Sequence, residues 1–334
     1  MASSVPARLR NPTTRRAVTV PAVAIGAATL AGSIGIWAPA AAALDLVNGR
    51  ESLPRLRLLC LALAWSTLES LGVGVSTALW AAGRRNDHDA HYAHYAVQRW
   101  WAARLVDALR HTANVRFEVG GLDRLAPGPI VMCARHVSVA DALIPVWLLG
   151  QVGMRPRYVL KDDLQLDPCL DIVGNRLPNH FVDRDPGDNT DELAKLEGLA
   201  RGMSVDDACV IYPEGMVVTD TGRARAIAAI AARDPERARR VRDLRVLAPV
   251  RPSGTAALLR GAPDADIVFV THAGLDPLQD APAHIPLDQP VRIQITRVGR
   301  NEVPTDDAFP PWFDARWAAC DRQLVEVLAH RAQV

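Results

Sequence analysis

The stretch Ile130-Val131-Met132-Cys133-Ala134-Arg135-His136-Val137-Ser138-Val139-Ala140-Asp141 joins an apolar run to a histidine and, five positions later, an aspartate. Ile130 to Ala134 fits a strand buried on both faces, and Ser138 to Leu149 carries a helical pattern. A buried strand that runs into a turn and then a helix is the repeating unit of a layered α/β sheet. Along a continuous helix, five residues separate two side chains by about 140°. His136 and Asp141 therefore meet only if the histidine sits in the turn and the aspartate in the first helical turn. There the carboxylate would hold one imidazole nitrogen and leave the other free to take a proton from a hydroxyl. With nine histidines in the chain, about one such spacing arises by chance, so the pair needs support from elsewhere.

Working outward, β-like runs occupy residues 115–119, 130–134, 157–160, 181–183, 209–212, 244–250, 267–271 and 291–296. Helical patterns lie between and after them at 138–149, 191–202, 223–242, 255–259 and 312–332. Such alternation predicts an α/β fold, a layered sheet with flanking helices. With no internal repeat and no long low-complexity linker, residues 99–334 are expected to form one domain. Ahead of it, residues 99–110 read as an amphipathic helix. Trp100 and Trp101 there suit either a membrane interface or docking on the domain.

The first 85 residues differ in kind. From Ala17 to Leu44 there is no charged side chain, a run longer than the ~20 residues that span hydrocarbon. A second apolar segment, 58–82, is interrupted by Glu69. A carboxylate at bilayer depth costs at least ~2.5 kcal/mol unless it faces protein or water. Residues 1–85 are thus expected to be a membrane-anchoring region that precedes the α/β domain, with a buried or half-inserted helix as the alternative for 58–82. Arg15 and Arg16 before the first run, and Ala38-Pro39-Ala40 near its end, also fit a twin-arginine leader; an uncleaved anchor is the alternative. Arg84 and Arg85 favour the cytoplasmic side after the second segment, whereas Arg50, Arg55 and Arg57 in the intervening loop argue the other way.

Composition removes several classes. The chain has 334 residues, with 38 Lys+Arg against 37 Asp+Glu and a net charge of +1, so no basic surface for nucleic acid is written into it. Its five cysteines, Cys60, Cys133, Cys169, Cys209 and Cys320, are odd in number and widely spaced, which fits buried thiols and no disulfide framework. There is no Gly-x-Ser-x-Gly elbow, Walker A loop or dinucleotide fingerprint. His88, His91 and His94 fan over roughly 120° of a helix without an acidic or cysteine partner, which fits a solvated cluster better than a metal site.

The support for His136 and Asp141 lies downstream. Lys161, one of only two lysines, opens Lys161-Asp162-Asp163-Leu164; Phe181-Val182-Asp183-Arg184 ends a strand-like run in arginine; Tyr212-Pro213-Glu214-Gly215 follows another; and Leu247-Ala248-Pro249-Val250-Arg251 closes the series. Histidine with aspartate, then arginine, then glutamate with glycine thus stand in order at strand ends, with cations available for a phosphate.

This ordered set resembles the glycerolipid acyltransferase family of the lysophosphatidate acyltransferase type. That family's four motifs are His-x4-Asp, a Phe-Ile/Val-Asp-Arg strand end, Phe-Pro-Glu-Gly-Thr, and an apolar run ending in proline. The likeness covers about residues 100–275, and an N-terminal membrane anchor is common in the family. It implies His136 as general base and Asp141 as its orienting partner. It implies Arg184 and Glu214 with Gly215 as binders of a phosphorylated acceptor, Lys161 as a further phosphate contact, Pro249 as part of the acyl-donor wall, and Arg251 as an addition to the substrate-binding set. Met216 stands where the family has threonine, Val217 where it has arginine, and Pro178 where it has glycine.

The resemblance therefore implies a membrane-bound enzyme facing the cytoplasm. It would move a fatty acyl group from acyl-CoA or acyl carrier protein, as co-substrate, to a lysophospholipid, most simply lysophosphatidate, without metal or other cofactor. Two alternatives stand beside it: acylation of glycerol 3-phosphate or another lysophospholipid, and a non-catalytic lipid-binding relative.

Overall fold

A computed structural model describes residues 6–84, 88–182, 190–276 and 285–331. The chain forms two compact units. One consists of Met1–Arg116, Leu160–Asp188 and Asp280–Asp288; the other of Phe117–Val159, Asn189–Gln279 and Gln289–Val334. Sequence reading divides the chain at one place, between residues 85 and 99, whereas the units draw on interleaved segments.

The second unit holds most of the sheet. Strands β1 (Phe117–Gly120), β2 (Ile130–Ala134), β3 (Arg155–Lys161), β4 (His180–Val182), β5 (Asp207–Ile211), β6 (Asp266–Ala273) and β7 (Val291–Val298) run in the order β1-β7-β6-β2-β5-β3-β4. β2 is parallel to both β5 and β6, with Cys133 opposite Ile211 and Ala134 opposite Val270. Every residue of β2 and β5 is buried, as expected of parallel strands covered on both faces. β7 runs antiparallel to β6 and alternates buried with exposed residues at its start.

Helices α5 (Leu143–Gln151), α7 (Thr190–Ala200), α8 (Asp220–Ala231), α9 (Pro235–Val241), α10 (Pro252–Gly261) and α11 (Phe309–Arg331) complete this unit. The core joins Cys133, Cys209 and Phe269 of the strands to Leu258 of α10 and to Phe313 and Trp317 of α11. Two expectations are corrected. The helix read at 223–242 is two helices, because Asp234 caps α9 by accepting the Arg237 N–H at 2.9 Å and Pro235 begins it. The run 244–250 is not a strand. Asp321 of α11 accepts the amides of Arg245, Val246 and Leu247 at 3.0, 2.8 and 2.7 Å, so side chains take the place of a neighbouring strand.

The first unit is helical: α1 (Pro12–Gly32), α2 (Ile34–Val47), α3 (Pro54–Ala81), α4 (His88–Ala113) and α6 (Pro168–Ile172). α3 is long and apolar enough to cross a membrane, and α1 with α2, bent by 75° at Ser33, would make a second, broken span. Glu69 faces protein: its carboxylate accepts the Trp101 indole N–H at 2.8 Å and the Cys169 amide at 2.9 Å. Of the tryptophan pair, Trp101 is buried and Trp100 is exposed. His94 departs from the solvated cluster expected of it. It is buried, with Nδ1 2.8 Å from the Ala90 carbonyl and Nε2 3.4 Å from Arg176. Arg15 and Arg16 both bind Asp171 of α6, with Nη2 2.9 Å from Oδ1 in each case. Arg85 lies outside the described residues.

Candidate active site

Because β2 is flanked by two parallel neighbours, three strand ends open at one edge of the sheet, where α/β folds place their ligands. Arg135 and His136 leave β2, Tyr212 to Gly215 leave β5, and His272 closes β6 level with His136.

The backbone of His136 is pinned on both sides. Its N–H donates to Glu214 Oε2 at 3.1 Å, and its carbonyl accepts the Val218 amide at 2.8 Å. Its ring packs against Tyr212, centroids 4.7 Å apart. Nδ1 lies 2.6 Å from Asp141 Oδ1. Asp141 Oδ2 accepts the amides of Val137 at 2.5 Å and Ser138 at 2.8 Å, so one carboxylate both starts the following helical turn and holds the imidazole. Burial alone would raise the Asp141 pKa, but hydrogen bonding to His136 and the proximity of His272 hold it well below the usual carboxylate range. Ionised Asp141 is an acceptor only, so a neutral His136 held by it carries its proton on Nδ1 and leaves Nε2 as the acceptor nitrogen.

Glu214 is buried, and its second oxygen accepts the Ala248 amide at 2.9 Å. Burial pushes its carboxyl up to about 8, against the lowering effect of the Ala248 and His136 amides. The next residue, Gly215, has φ +68°, a left-handed conformation that side chains rarely adopt. A Cβ there would also stand 3.0 Å from Arg251 Nε. Glycine therefore lets the turn pass beneath the Arg251 side chain, whose amide is bonded to the Pro213 carbonyl at 2.7 Å. Arg251 is exposed and Pro249 buried.

Of the residues singled out in the sequence, His136, Asp141, Glu214, Gly215, Pro249 and Arg251 belong to this unit. Lys161 belongs to the helical unit, at the end of β3 and ion-paired with Asp163. Arg184 lies outside the described residues. Among the described residues, no group of three or more His, Cys, Asp and Glu side chains is placed to hold a metal ion.

Three groups escaped sequence reading. Arg135 is buried and reaches Asp276 Oδ1 with Nη2 at 2.6 Å, while its Nη1 donates to the His272 carbonyl. His272 is buried with Nε2 3.5 Å from Asp141 Oδ2. The one available signal was a histidine directly after the β-like run 267–271.

Among curated proteins no significant sequence relative is found. The fold matches the crystal structure of the 1-acyl-sn-glycerophosphate (LPA) acyltransferase PlsC from Thermotoga maritima. The TM-score is 0.55 and the identity 14%, over 83% of this chain and 98% of that one. Residues 116–246 match the family model described as Acyltransferase, a span that contains His136, Asp141, Glu214 and Gly215. Residues 116–246 are thus similar to the Acyltransferase family, and that match together with the shared fold supports an acyltransferase.

Proposed function

We propose that the chain transfers a fatty acyl group from acyl-CoA or acyl carrier protein to the free hydroxyl of a lysophospholipid, with lysophosphatidate as the acceptor and phosphatidate as the product. The observation that carries the reading is the 2.6 Å contact between His136 Nδ1 and Asp141 Oδ1 at the open ends of three parallel strands. His136 Nε2 takes the proton of the acceptor hydroxyl as its oxygen attacks the thioester carbonyl. The resulting tetrahedral oxyanion then collapses, the C–S bond breaks, and the leaving thiolate takes the proton back from the His136 imidazolium, which restores the base. Asp141 stabilises the imidazolium formed in between, and general-base help of this kind contributes ~10²- to 10⁴-fold.

Glu214 supports the same chemistry by bracing: it ties the His136 backbone to Ala248 and so fixes the base against the fourth motif. Arg251, exposed over Gly215, suits a phosphate, since a guanidinium fork binds two of its oxygens. Arg184 and Lys161 remain proposed phosphate contacts on the strength of the family resemblance alone. Membrane attachment rests on α3 and on exposed apolar side chains of the helical unit, among them Ile25, Ile36, Leu46, Trp65, Leu71 and Trp80. Both substrates are amphiphilic, and a cytoplasmic acyl donor requires the site to face the cytoplasm.

The test is acyl transfer by the purified full chain in detergent, with labelled acyl-CoA and a panel of lysophosphatidate, glycerol 3-phosphate and other lysophospholipids. Fastest turnover with lysophosphatidate, lost at least ~100-fold in His136→Ala, is the expected result. Transfer surviving in that variant removes the general-base assignment, and no turnover with any acceptor leaves a lipid-binding protein. Labelling of a cysteine introduced at Arg84 from the outer side would overturn the orientation.

A further inference from the structure

His272 is the buried group that the proposed chemistry leaves unused. It sits near the end of β6, two residues past Val270, which pairs with Ala134. Its ring is almost fully enclosed, and neither Nδ1 nor Nε2 has a hydrogen-bond partner among the described residues. A histidine that merely filled the core would be expected to satisfy at least one of these nitrogens.

Its nearest charged neighbour decides what it can do. Nε2 stands 3.5 Å from Asp141 Oδ2, on the opposite carboxylate oxygen from the one that holds His136. With the proton on Nδ1, the Nε2 lone pair would point at an anion; with the proton on Nε2, an N–H dipole points there. Electrostatics therefore selects the Nε2–H form. The separation exceeds that of a formed hydrogen bond, and a shift of about half an ångström closes it. The main chain at His272 is also held, because Arg135 Nη1 donates to the His272 carbonyl while Arg135 Nη2 is paired with Asp276. The charged and titratable groups around it are thus Asp141 and His136 on one side and Arg135 and Asp276 on the other.

We infer that His272 is a positioning residue for acyl transfer, whose Nε2–H steadies Asp141 so that the carboxylate keeps its grip on His136 Nδ1. The inference rests on the proposed His136–Asp141 chemistry. As His136 takes the acceptor's proton, the imidazolium pulls on Asp141 Oδ1. A donor on Oδ2 keeps the carboxylate from rotating away from its two amides.

The experiment compares His272→Phe, which keeps a ring and removes the donor, with His272→Gln, which keeps an N–H at nearly the place of Nε2. Each is measured in the full chain in detergent beside His136→Ala. His272→Phe is expected to lower kcat by ~10- to 100-fold, the usual cost of losing an outer partner of a reacting group, with KM for both substrates unchanged. The acid limb of its kcat profile should move to higher pH, because Asp141, having lost a donor, holds a proton on His136 more strongly. His272→Gln should recover most of the loss. Unchanged kcat and pH profile in His272→Phe, with His136→Ala inactive, overturns the role of His272 and leaves the dyad standing; transfer by His136→Ala overturns both. Should His272→Phe not fold, imidazole ¹⁵N NMR of the wild type decides: an Nε2–H tautomer supports the inference and an Nδ1–H tautomer overturns it.

Discussion

Asp141 at the open sheet edge and Asp171 in the helical unit are both buried carboxylates, and they are stabilised by different partners. Asp171 is gripped by two guanidiniums, with Arg15 Nε and Nη2 at 3.0 and 2.9 Å and Arg16 Nε and Nη2 at 3.1 and 2.9 Å. Asp141 is held by one imidazole and two backbone amides. In both, burial would raise the pKa, and the hydrogen bonds of these partners lower it instead. A guanidinium keeps its proton at any accessible pH, so the Asp171 knot can only hold structure. An imidazole exchanges its proton near neutrality, so the same carboxylate chemistry at Asp141 is available for work.

Substitutions at the two sites should therefore separate activity from stability. The largest effect is expected in Asp141→Asn, where an amide replaces the anion that sets the His136 tautomer. The kcat should fall by on the order of 10⁴-fold, read in the acyl-transfer assay, in protein that still elutes as a folded species. Asp171→Ala should do the reverse. Leaving two guanidiniums without their shared acceptor costs ~3–5 kcal/mol, visible as an earlier thermal transition, while the folded enzyme retains turnover. If Asp171→Ala lost activity with no loss of stability, the division of labour between the two carboxylates would be wrong.

The comparison also has a pH signature. Asp171 has a depressed pKa in the folded chain, so its contribution is complete above the unfolded value of ~3.9 and disappears as pH falls through the folded value. The stability gap between wild type and Asp171→Asn should thus be full at pH 7 and should narrow in acid below about pH 4. A gap that stays constant down to pH 2 would contradict ionic stabilisation. The smallest effect is expected from Arg16→Ala. Arg16 is 41% exposed and Arg15 only 4%, so losing Arg16 should cost no more than ~1 kcal/mol, and Arg15→Ala clearly more.

Much of the fold was legible because parallel strands buried on both faces write themselves as short apolar runs. β2 and β5 are examples. The run 244–250 is also mostly apolar and is no strand, since Asp321, more than seventy residues later, takes three of its amides. No local pattern carries that information. His136 and Asp141 were legible for the opposite reason: both lie within one strand-to-helix turn, where a capping aspartate also reaches the ring. Glu214 was found by its motif, but its two backbone partners, on separate segments, were not.

The same distinction applies to the charged residues at the N-terminus. As a sequence, Arg15-Arg16 reads equally as a leader signal or as the flank of an anchor. In the folded chain both side chains pair with Asp171, 155 residues beyond Arg16, a contact that no local pattern announces. Sequence by itself determined the strand-to-helix turn, the pairing of His136 with Asp141, and the apolar helices, because each depends on neighbours within a few positions. Tertiary structure alone decided that His272 lies against Asp141, that Arg135 pairs with Asp276, and that Glu69 faces an indole. The physical reason is that strand pairing and helix packing set which distant side chains share one low-dielectric space, and there the partner fixes what a charge can do.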